Sequence, residues 1–199
     1  MDETRYLDRI GQLVEPGERV QAHAKAEVGG GLTPPPPPDE AVPETPGRAT
    51  VSSVLLNLLA PLATWDRGDR LVDLIGWGIA GRGAPGSAAS RLHRAVNPAR
   101  PDGKLRHTLL AVTDRRLLVC VTGPVKVLSS REDDERSLAE TRIAWAVPRA
   151  EVASARVGWH RLNPKRLRVD FADGSWLAFT VPIAESGRPL RAIAAALTG

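Results

Sequence analysis

The chain has 199 residues, of which 42% are hydrophobic and 25% are charged, and it contains one cysteine, Cys120. This composition excludes a fully disordered chain, and the length allows one ordinary domain or two small ones. A single cysteine also excludes an internal disulfide framework and a cysteine-based zinc site. The formal net charge is +4, yet residues 1–47 carry nine acids and four bases, whereas residues 48–122 carry eleven bases and five acids. Basic surface of this kind is typical of contacts with anionic lipid, nucleic acid or an acidic protein face.

No segment is typical of targeting or of membrane insertion. The first ten residues are acidic and lack an apolar core. The longest stretch without a charge spans 17 residues, 49–65, and contains Pro61 and several polar side chains. A transmembrane helix needs about 20 mostly apolar residues. We therefore expect a cytoplasmic protein, either free or associated peripherally with a membrane.

Residues 1–28 are predicted to form a helix and then a strand. Leu7, Ile10 and Val14 recur at helical spacing, and Pro16 ends the helix. Residues 18–28 alternate between small apolar and polar side chains, which indicates a half-buried strand. The next segment, residues 29–47, opens with three glycines and contains five consecutive prolines, so we expect a mobile linker with an extended proline part.

A helical insertion is predicted over residues 48–103. Valines and leucines within residues 51–62 and again within 69–80 fall at helical spacing, and Ser87 can cap a third helix that ends at Val96. These apolar stripes must be buried, either against each other and the rest of the fold or against a partner. The predicted partner-contact surface consists of Val51, Leu55, Leu58, Leu62, Leu71, Leu74 and Ile75, rimmed by Arg67, Arg70, Arg82, Arg91 and Arg94.

The remaining chain, residues 104–199, is predicted to contain six strands and a helix. A charged segment in its middle, residues 129–142, indicates a solvated loop, and Pro148 separates the two strands that follow it. The first four strands are predicted at residues 105–112, 116–122, 143–147 and 152–158.

The last hairpin carries the most information about register. Val169 and Phe171 share one face of the first strand, and Leu177 and Phe179 share one face of the second. Only a three-residue loop with Gly174 in the left-handed conformation places all four on the same side. A C-terminal helix follows, with Ser186 as its predicted cap and a buried stripe of Leu190, Ile193, Ala194 and Leu197.

Four segments carry a resemblance by their order along the chain. They are LVEPGERVQAHAKA, LLAVTDRRLLVCV, IAWAVPRAEVASARV and LRVDFADGSWLAFTV. Together they resemble bacterial pleckstrin-homology-like (PH-like) domains, with some likeness to GRAM domains. The resemblance covers residues 15–27 and 104–199. It implies a mainly β fold: a seven-stranded antiparallel barrel capped by a C-terminal helix, with the helical insertion between strands 1 and 2.

The resemblance also implies a candidate anion site. PH domains that bind phosphoinositides carry a lysine and then a (Lys/Arg)-x-Arg pattern on either side of the loop between their first two strands. Lys25, Lys104 and Arg106 fit this pattern. Their charges would converge on a phosphate headgroup at the open end of the barrel. The alternative is that they are solvated charges at the ends of strands.

Two further basic clusters can each be interpreted as a binding site or as ordinary surface charge. Arg115 and Arg116 lie in a hairpin turn, where we expect Asp114 to shape the turn and the arginines to pair with carboxylates. The second cluster lies near two aromatic residues and indicates either nucleic-acid stacking or, as we expect, a solvated face. It consists of Arg161, Lys165, Arg166 and Arg168, close to Trp159 and His160.

Nothing in the sequence indicates catalysis, a metal or a cofactor. Residues 76–81 match G-x-G-x-x-G, but no βαβ unit follows, so we interpret the match as chance. The four histidines show no metal-ligand spacing, and there is no G-x-S-x-G motif. We therefore expect a non-catalytic docking module for protein-protein interaction or assembly, acting through a strand edge or the apolar insertion. The alternative is peripheral binding of anionic lipid headgroups, and nucleic-acid binding is a distant third interpretation.

Overall fold

A computed structural model describes residues 3–28, 32–33, 80–96, 106–125, 130–160, 163–181 and 186–199. Over these ranges the protein is mainly β. The strands are β1 (Val20–Val28), β2 (Leu32–Thr33), β3 (Gly81–Arg82), β4 (Thr108–Thr113), β5 (Arg116–Val121), β6 (Arg142–Pro148), β7 (Val152–His160), β8 (Asn163–Phe171) and β9 (Trp176–Thr180). The helices are α1 (Glu3–Leu13), α2 (Ala88–Val96), α3 (Arg131–Ala139) and α4 (Arg188–Thr198), with a short 3-10 helix at Arg149–Glu151.

Seven strands pair antiparallel in the order β6-β5-β4-β1-β9-β8-β7. We call β1, β4, β5 and β6 the first half of the sheet, and β7, β8 and β9 the second half. β1 joins the two halves, because Glu27 and Val28 at its end pair with β9. β3 pairs antiparallel with β9 on the same edge of β9 that β1 uses, and β2 pairs parallel with β3.

The sheet is not closed into a barrel. β6 and β7 lie at the two ends of the strand order, and within the described ranges they do not pair with each other. Pro148 ends β6, and the 3-10 helix at Arg149–Glu151 redirects the chain before β7 begins. The predicted mainly β fold with seven antiparallel strands and a C-terminal helix is confirmed. The prediction that the strands close into a barrel is wrong.

The main core lies between the inner faces of the two halves. Trp145 from β6 meets Phe171 from β8 edge to face, with ring centroids 5.7 Å apart. α4 contributes Leu190 and Ile193 to this core, and α2 contributes Leu92. The fully buried strand residues of this core include Leu110, Leu117, Val119, Leu167, Val169, Leu177 and Phe179.

α1 and α3 cover the outer face of the first half. Their contact buries a second cluster that consists of Tyr6, Ile10, Leu109, Ala111, Leu118 and Cys120. Arg9 of α1 donates hydrogen bonds to the carbonyl oxygens of Ala139 and Thr141, at 2.6 and 3.1 Å. The two helices are therefore held to each other as well as to the sheet.

The prediction of a solvated loop over residues 129–142 is wrong, because α3 begins at Arg131. The Ser130 side chain accepts a hydrogen bond from the backbone of Asp133, and the Asp133 side chain accepts one from the backbone of Ser130. This capping box satisfies free N–H groups of the first turn, and the acids there favour the helix dipole. Arg131 also pairs with Glu135 one turn later.

The β8–β9 hairpin has the predicted register. Val169 pairs with Leu177, and the N–H of Phe171 donates to the carbonyl of Ser175 at 2.8 Å, which leaves a three-residue loop. Gly174 has φ of 79°, as the loop requires. The cap of the C-terminal helix was predicted one residue too early, since the cap is Gly187 and not Ser186. The Ser186 hydroxyl still accepts a hydrogen bond from the backbone N–H of Arg188, at 3.2 Å.

Two of the segments behind the resemblance are joined in space. The buried Glu18 carboxylate accepts hydrogen bonds from Nε and a terminal nitrogen of Arg116, at 2.9 and 2.7 Å, and from the Thr113 hydroxyl at 2.6 Å. Asp114 in turn accepts from the backbone of Arg19. The PGE and TDRR segments therefore form one structural clip, and the expected pairing of the turn arginines with carboxylates is confirmed.

The end of the predicted insertion is part of the core. Asp173 and Ser175, at the β8–β9 loop, accept hydrogen bonds from the first two backbone N–H groups of α2, at 2.7 and 3.1 Å. Ser87 accepts from Ser90, which confirms the predicted cap. Of residues 48–79 the structure describes none, so the first two predicted helices lie outside the described ranges, and so does most of the 29–47 linker apart from β2.

Candidate docking surface

The outer face of the second half carries charged and aromatic side chains in two rows. The strand register sets Ser154 beside Asp170, Asp170 beside Trp176, and Trp176 beside Arg82. In the next row, Arg156 lies beside Arg168. The residues between these positions point into the core, because strand side chains alternate between faces. We call the surface formed by Arg82, Arg156, Arg166, Arg168 and Trp176 the Arg–Trp face.

Trp176 lies under two guanidinium groups. The central carbon of the Arg168 guanidinium is 4.2 Å from the ring centroid of Trp176, and that of Arg166 is 5.5 Å away. A cation over an indole face is attracted by the ring quadrupole, at about 0.5–1 kcal/mol for each exposed contact. The stack therefore holds the aromatic ring and the two arginines in a fixed arrangement.

Asp170 positions Arg168 within this stack. Its Oδ1 accepts from Nε and a terminal nitrogen of Arg168, at 2.7 and 2.5 Å, and its Oδ2 accepts from the Ser154 hydroxyl at 2.8 Å. The Arg168 side chain remains 35% exposed, so the stack is accessible at the surface. Arg168 thus presents a fixed guanidinium whose charge is largely balanced by its neighbour.

Arg82 and Arg156 flank the stack on opposite sides and are exposed. Within the described part of the chain, no carboxylate forms an ion pair with either of them. Arg166 is 6% exposed and lies beneath the surface. The prediction of a solvated face is therefore wrong for Arg166, whereas Arg168 remains partly exposed while it stacks on Trp176.

The predicted anion site is only partly within the described residues. Lys25 lies on β1 opposite Leu109, on the outer face of the first half, and is partly buried. Arg106 is exposed just before β4, and Lys104 lies outside the described ranges. Convergence of the three charges on one headgroup stays a prediction.

The predicted partner-contact surface falls outside the described residues as a whole. This applies to Val51, Leu55, Leu58, Leu62, Leu71, Leu74 and Ile75, and to the rim residues Arg67 and Arg70. Arg91 and Arg94 are exposed on α2, where they donate to the carbonyl of Gly86 and the hydroxyl of Ser90. Of the rim residues that the structure describes, Arg82 alone belongs to the Arg–Trp face.

The described titratable groups form no obvious reactive cluster. Burial raises the pKa of the Cys120 thiol to about 11, so the thiol is not poised as a nucleophile. His107 lines a narrow cleft between α1 and α3 together with Arg5 and Asp134; burial lowers its pKa, and nearby Lys25 acts in the same direction. Over the described ranges, no three metal-ligating side chains are grouped so as to hold a metal ion, and no helix is long and apolar enough to cross a bilayer.

Comparison of the chain with protein-family models, curated proteins and solved structures found no match. The Arg–Trp face therefore rests on its own geometry. Sequence reasoning missed the role of Trp176, although the correct hairpin register already placed it beside Asp170. The signal that could have found it is the alternation of Arg166, Arg168 and Asp170 opposite an outward-facing tryptophan.

Proposed function

We propose that this protein is a non-catalytic, cytoplasmic docking module that binds a protein partner through the Arg–Trp face. The observation that carries the proposal is the stack of Arg168 and Arg166 on Trp176, fixed by Asp170. Tryptophan and arginine are the residues most enriched at the centres of protein interfaces, where a few fixed side chains contribute most of the binding energy. Exposed Arg82 and Arg156 give the surface a positive rim.

The same surface could bind an anionic lipid headgroup, which is the second candidate function. The pairing of Arg168 with Asp170 favours the protein partner, because much of the guanidinium charge is already balanced. A headgroup site needs several cations free to converge on one phosphate. A protein interface, by contrast, uses the flat area of the stack as well as its charge.

We also propose that the fold belongs with PH-like domains. Support comes from the antiparallel order of seven strands, from α4 packed against them, and from the clip that joins the PGE and TDRR segments. The open edge between β6 and β7 and the α2 helix at one end of the core depart from the expected barrel.

The experiment compares four forms of the full chain: wild type, Trp176→Ala, the double variant Arg82→Glu/Arg156→Glu, and Arg188→Glu as a charge-reversal control. Arg188 is exposed at the start of α4 and is not one of the residues that form the Arg–Trp face. A protein captured from the native host is purified and titrated against each form. Binding to wild type and the control, with loss in the other two, supports the proposal.

Vesicles separate the two candidates. The four forms are sedimented with phosphatidylcholine vesicles and with vesicles that also contain phosphatidylserine. If wild type sediments only with the anionic vesicles, is released by salt, and loses binding in the double variant, the lipid function replaces the protein function. If a purified partner binds all four forms equally, the Arg–Trp face is not the docking surface.

A further inference from the structure

Two outer surfaces of the molecule carry charges of opposite sign at similar spacing, one on the second half of the sheet and one on α3. From this match we propose that the Arg–Trp face binds the exposed side of α3 in a second copy of this chain, so that copies associate head to tail. The inference rests on the proposed function and deepens it, because it names the protein partner that the face binds.

α3 presents a row of exposed charged side chains. Glu132, Arg136 and Glu140 are exposed and follow one another at intervals of four residues, which places them along one side of the helix. We call these three residues the α3 row. The opposite side of the helix, with Leu138, packs on the cluster beneath it. Arg136 is paired with Asp133 at 3.6 Å, whereas among the described residues neither glutamate of the row has an ion-pair partner.

The Arg–Trp face has the same arrangement with the signs reversed. Arg82 on β3 and Arg156 on β7 are exposed at its two sides and have no described carboxylate partner. Between them lie Trp176 and the pair of Arg168 with Asp170. Each surface therefore has a balanced pair near its middle and unpaired charges at its flanks. The flanking charges are positive on the face and negative on the α3 row, which favours contact between the two.

The spacing of the flanking charges also agrees. Three strand spacings of about 4.8 Å separate β3 from β7, so Arg82 and Arg156 are about 14 Å apart across the sheet. At a rise of 1.5 Å per residue, Glu132 and Glu140 are about 12 Å apart along the helix. Long, flexible arginine side chains can accommodate a difference of about 2 Å. α3 can therefore lie across the strands with each flanking glutamate next to an arginine.

The two surfaces lie on opposite sides of the molecule. The main core lies between the inner faces of the two halves, α3 covers the outer face of the first half, and the Arg–Trp face is the outer face of the second half. One copy therefore cannot join its own two surfaces. A contact between two copies leaves one surface of each kind free, so further copies add in series as a ring or a filament.

The test uses the full chain and two variants that each neutralise one surface. The face variant, Arg82→Gln/Arg156→Gln, removes the flanking charges of the Arg–Trp face. The helix variant, Glu132→Gln/Glu140→Gln, removes those of the α3 row. All four side chains are exposed, so the substitutions should leave the fold intact.

A third variant controls for the loss of charge as such. Glu27→Gln/Glu151→Gln neutralises two exposed acids that belong to neither surface, and it changes the net charge as much as the helix variant does. Sedimentation equilibrium at low salt gives the mean mass of wild type and of each variant as the concentration rises. The same measurement is made on an equimolar mixture of the face and helix variants.

We expect the mean mass of wild type and of the control variant to rise with concentration and to fall when salt is added. Self-association of the face variant and of the helix variant should each be weakened by at least about tenfold. Their mixture should form heterodimers and nothing larger, because each variant keeps the one surface that the other lacks. Formation of these heterodimers would also show that both variants are folded.

Wild type that stays monomeric at every concentration overturns the inference. Self-association that is equal in wild type and the face variant also overturns it, and so does a mixture that stays monomeric while wild type associates. Loss of binding to a protein from the native host in Arg82→Glu/Arg156→Glu would, in each of these cases, still leave the proposed function standing.

Discussion

On the outer face of the first half, Leu109, Leu118 and Cys120 are buried beneath α1 and α3. On the outer face of the second half, Arg168 and Trp176 form a stack that remains partly exposed. The first surface is explained by stability, because apolar side chains there are removed from water. The second is not, because exposed contacts between a cation and an aromatic ring contribute only about 0.5–1 kcal/mol each. This contrast separates the part of the molecule that holds the fold from the part that we propose is available for binding.

The covered face should show the largest effect on folding. Leu118 is fully buried in the cluster beneath α1 and α3. Leu118→Ala should lower the free energy of unfolding by about 2–5 kcal/mol, through lost burial and the cavity left behind. Chemical denaturation with urea measures this loss. A change near zero would show that the helices do not seal this face.

The clip between Glu18 and Arg116 should make stability depend on acid pH. Hydrogen bonds from Arg116, opposed by burial and aided by Thr113, lower the pKa of Glu18 from 4.5 to about 2. Since the folded pKa lies below the unfolded one, the stabilisation is present above about pH 4.5 and is lost as the pH falls toward 2. At neutral pH it amounts to about 3 kcal/mol.

Urea titrations of wild type and Glu18→Gln between pH 7 and pH 3 test this expectation. The difference in unfolding free energy between the two should shrink as the pH falls. Glu15→Gln serves as the control, because the Glu15 side chain is 59% exposed, although it also contacts Arg116. Parallel pH profiles for wild type and Glu18→Gln would show that the clip does not carry this pH dependence.

The β8–β9 loop, which supports α2 on one side and β9 on the other, should show a smaller effect. Gly174 has φ of 79°, and a side chain there would meet no atom within 4 Å. Gly174→Ala should therefore cost about 1–2 kcal/mol from backbone conformation alone. Gly158→Ala on β7 is the matched control, since that site is equally open but has no positive φ. Equal thermal denaturation of both variants would refute the argument.

The open face should show the smallest effect on folding. Arg156 is exposed, and its side chain has no described ion-pair partner. Arg156→Glu should change the free energy of unfolding by less than about 0.5 kcal/mol, which urea denaturation can resolve. A large loss would mean that the Arg–Trp face is a structural element, and the contrast between the two faces would fail.

Local patterns in the sequence predicted local structure well. The alternation of Val169, Phe171, Leu177 and Phe179 was enough to give the hairpin register, because a slip of one residue would turn every side chain to the other face. α3 was missed because its charged composition outweighed a capping box at Ser130 and Asp133. Those two residues carried the correct signal.

Features that depend on distant segments could not be predicted in the same way. Closure of the sheet depends on how the chain turns after Pro148, which no strand pattern encodes. The two flanking arginines of the Arg–Trp face need β3 and β7 to be placed on either side of the β8–β9 hairpin, and β3 comes from the far end of an insertion. The pattern of Lys25, Lys104 and Arg106 rests on the resemblance to PH domains, and because Lys104 lies outside the described residues, the site stays a prediction.

The affinity of a purified partner for the variants of the Arg–Trp face tests the central claim most directly. We expect Trp176→Ala to weaken binding by at least about tenfold, as for a residue at the centre of an interface. Arg82→Glu/Arg156→Glu should weaken it as well, most strongly at low salt, because the rim charges act through space. Arg188→Glu should bind as wild type does. Equal affinity of the partner for wild type and Trp176→Ala would contradict the account.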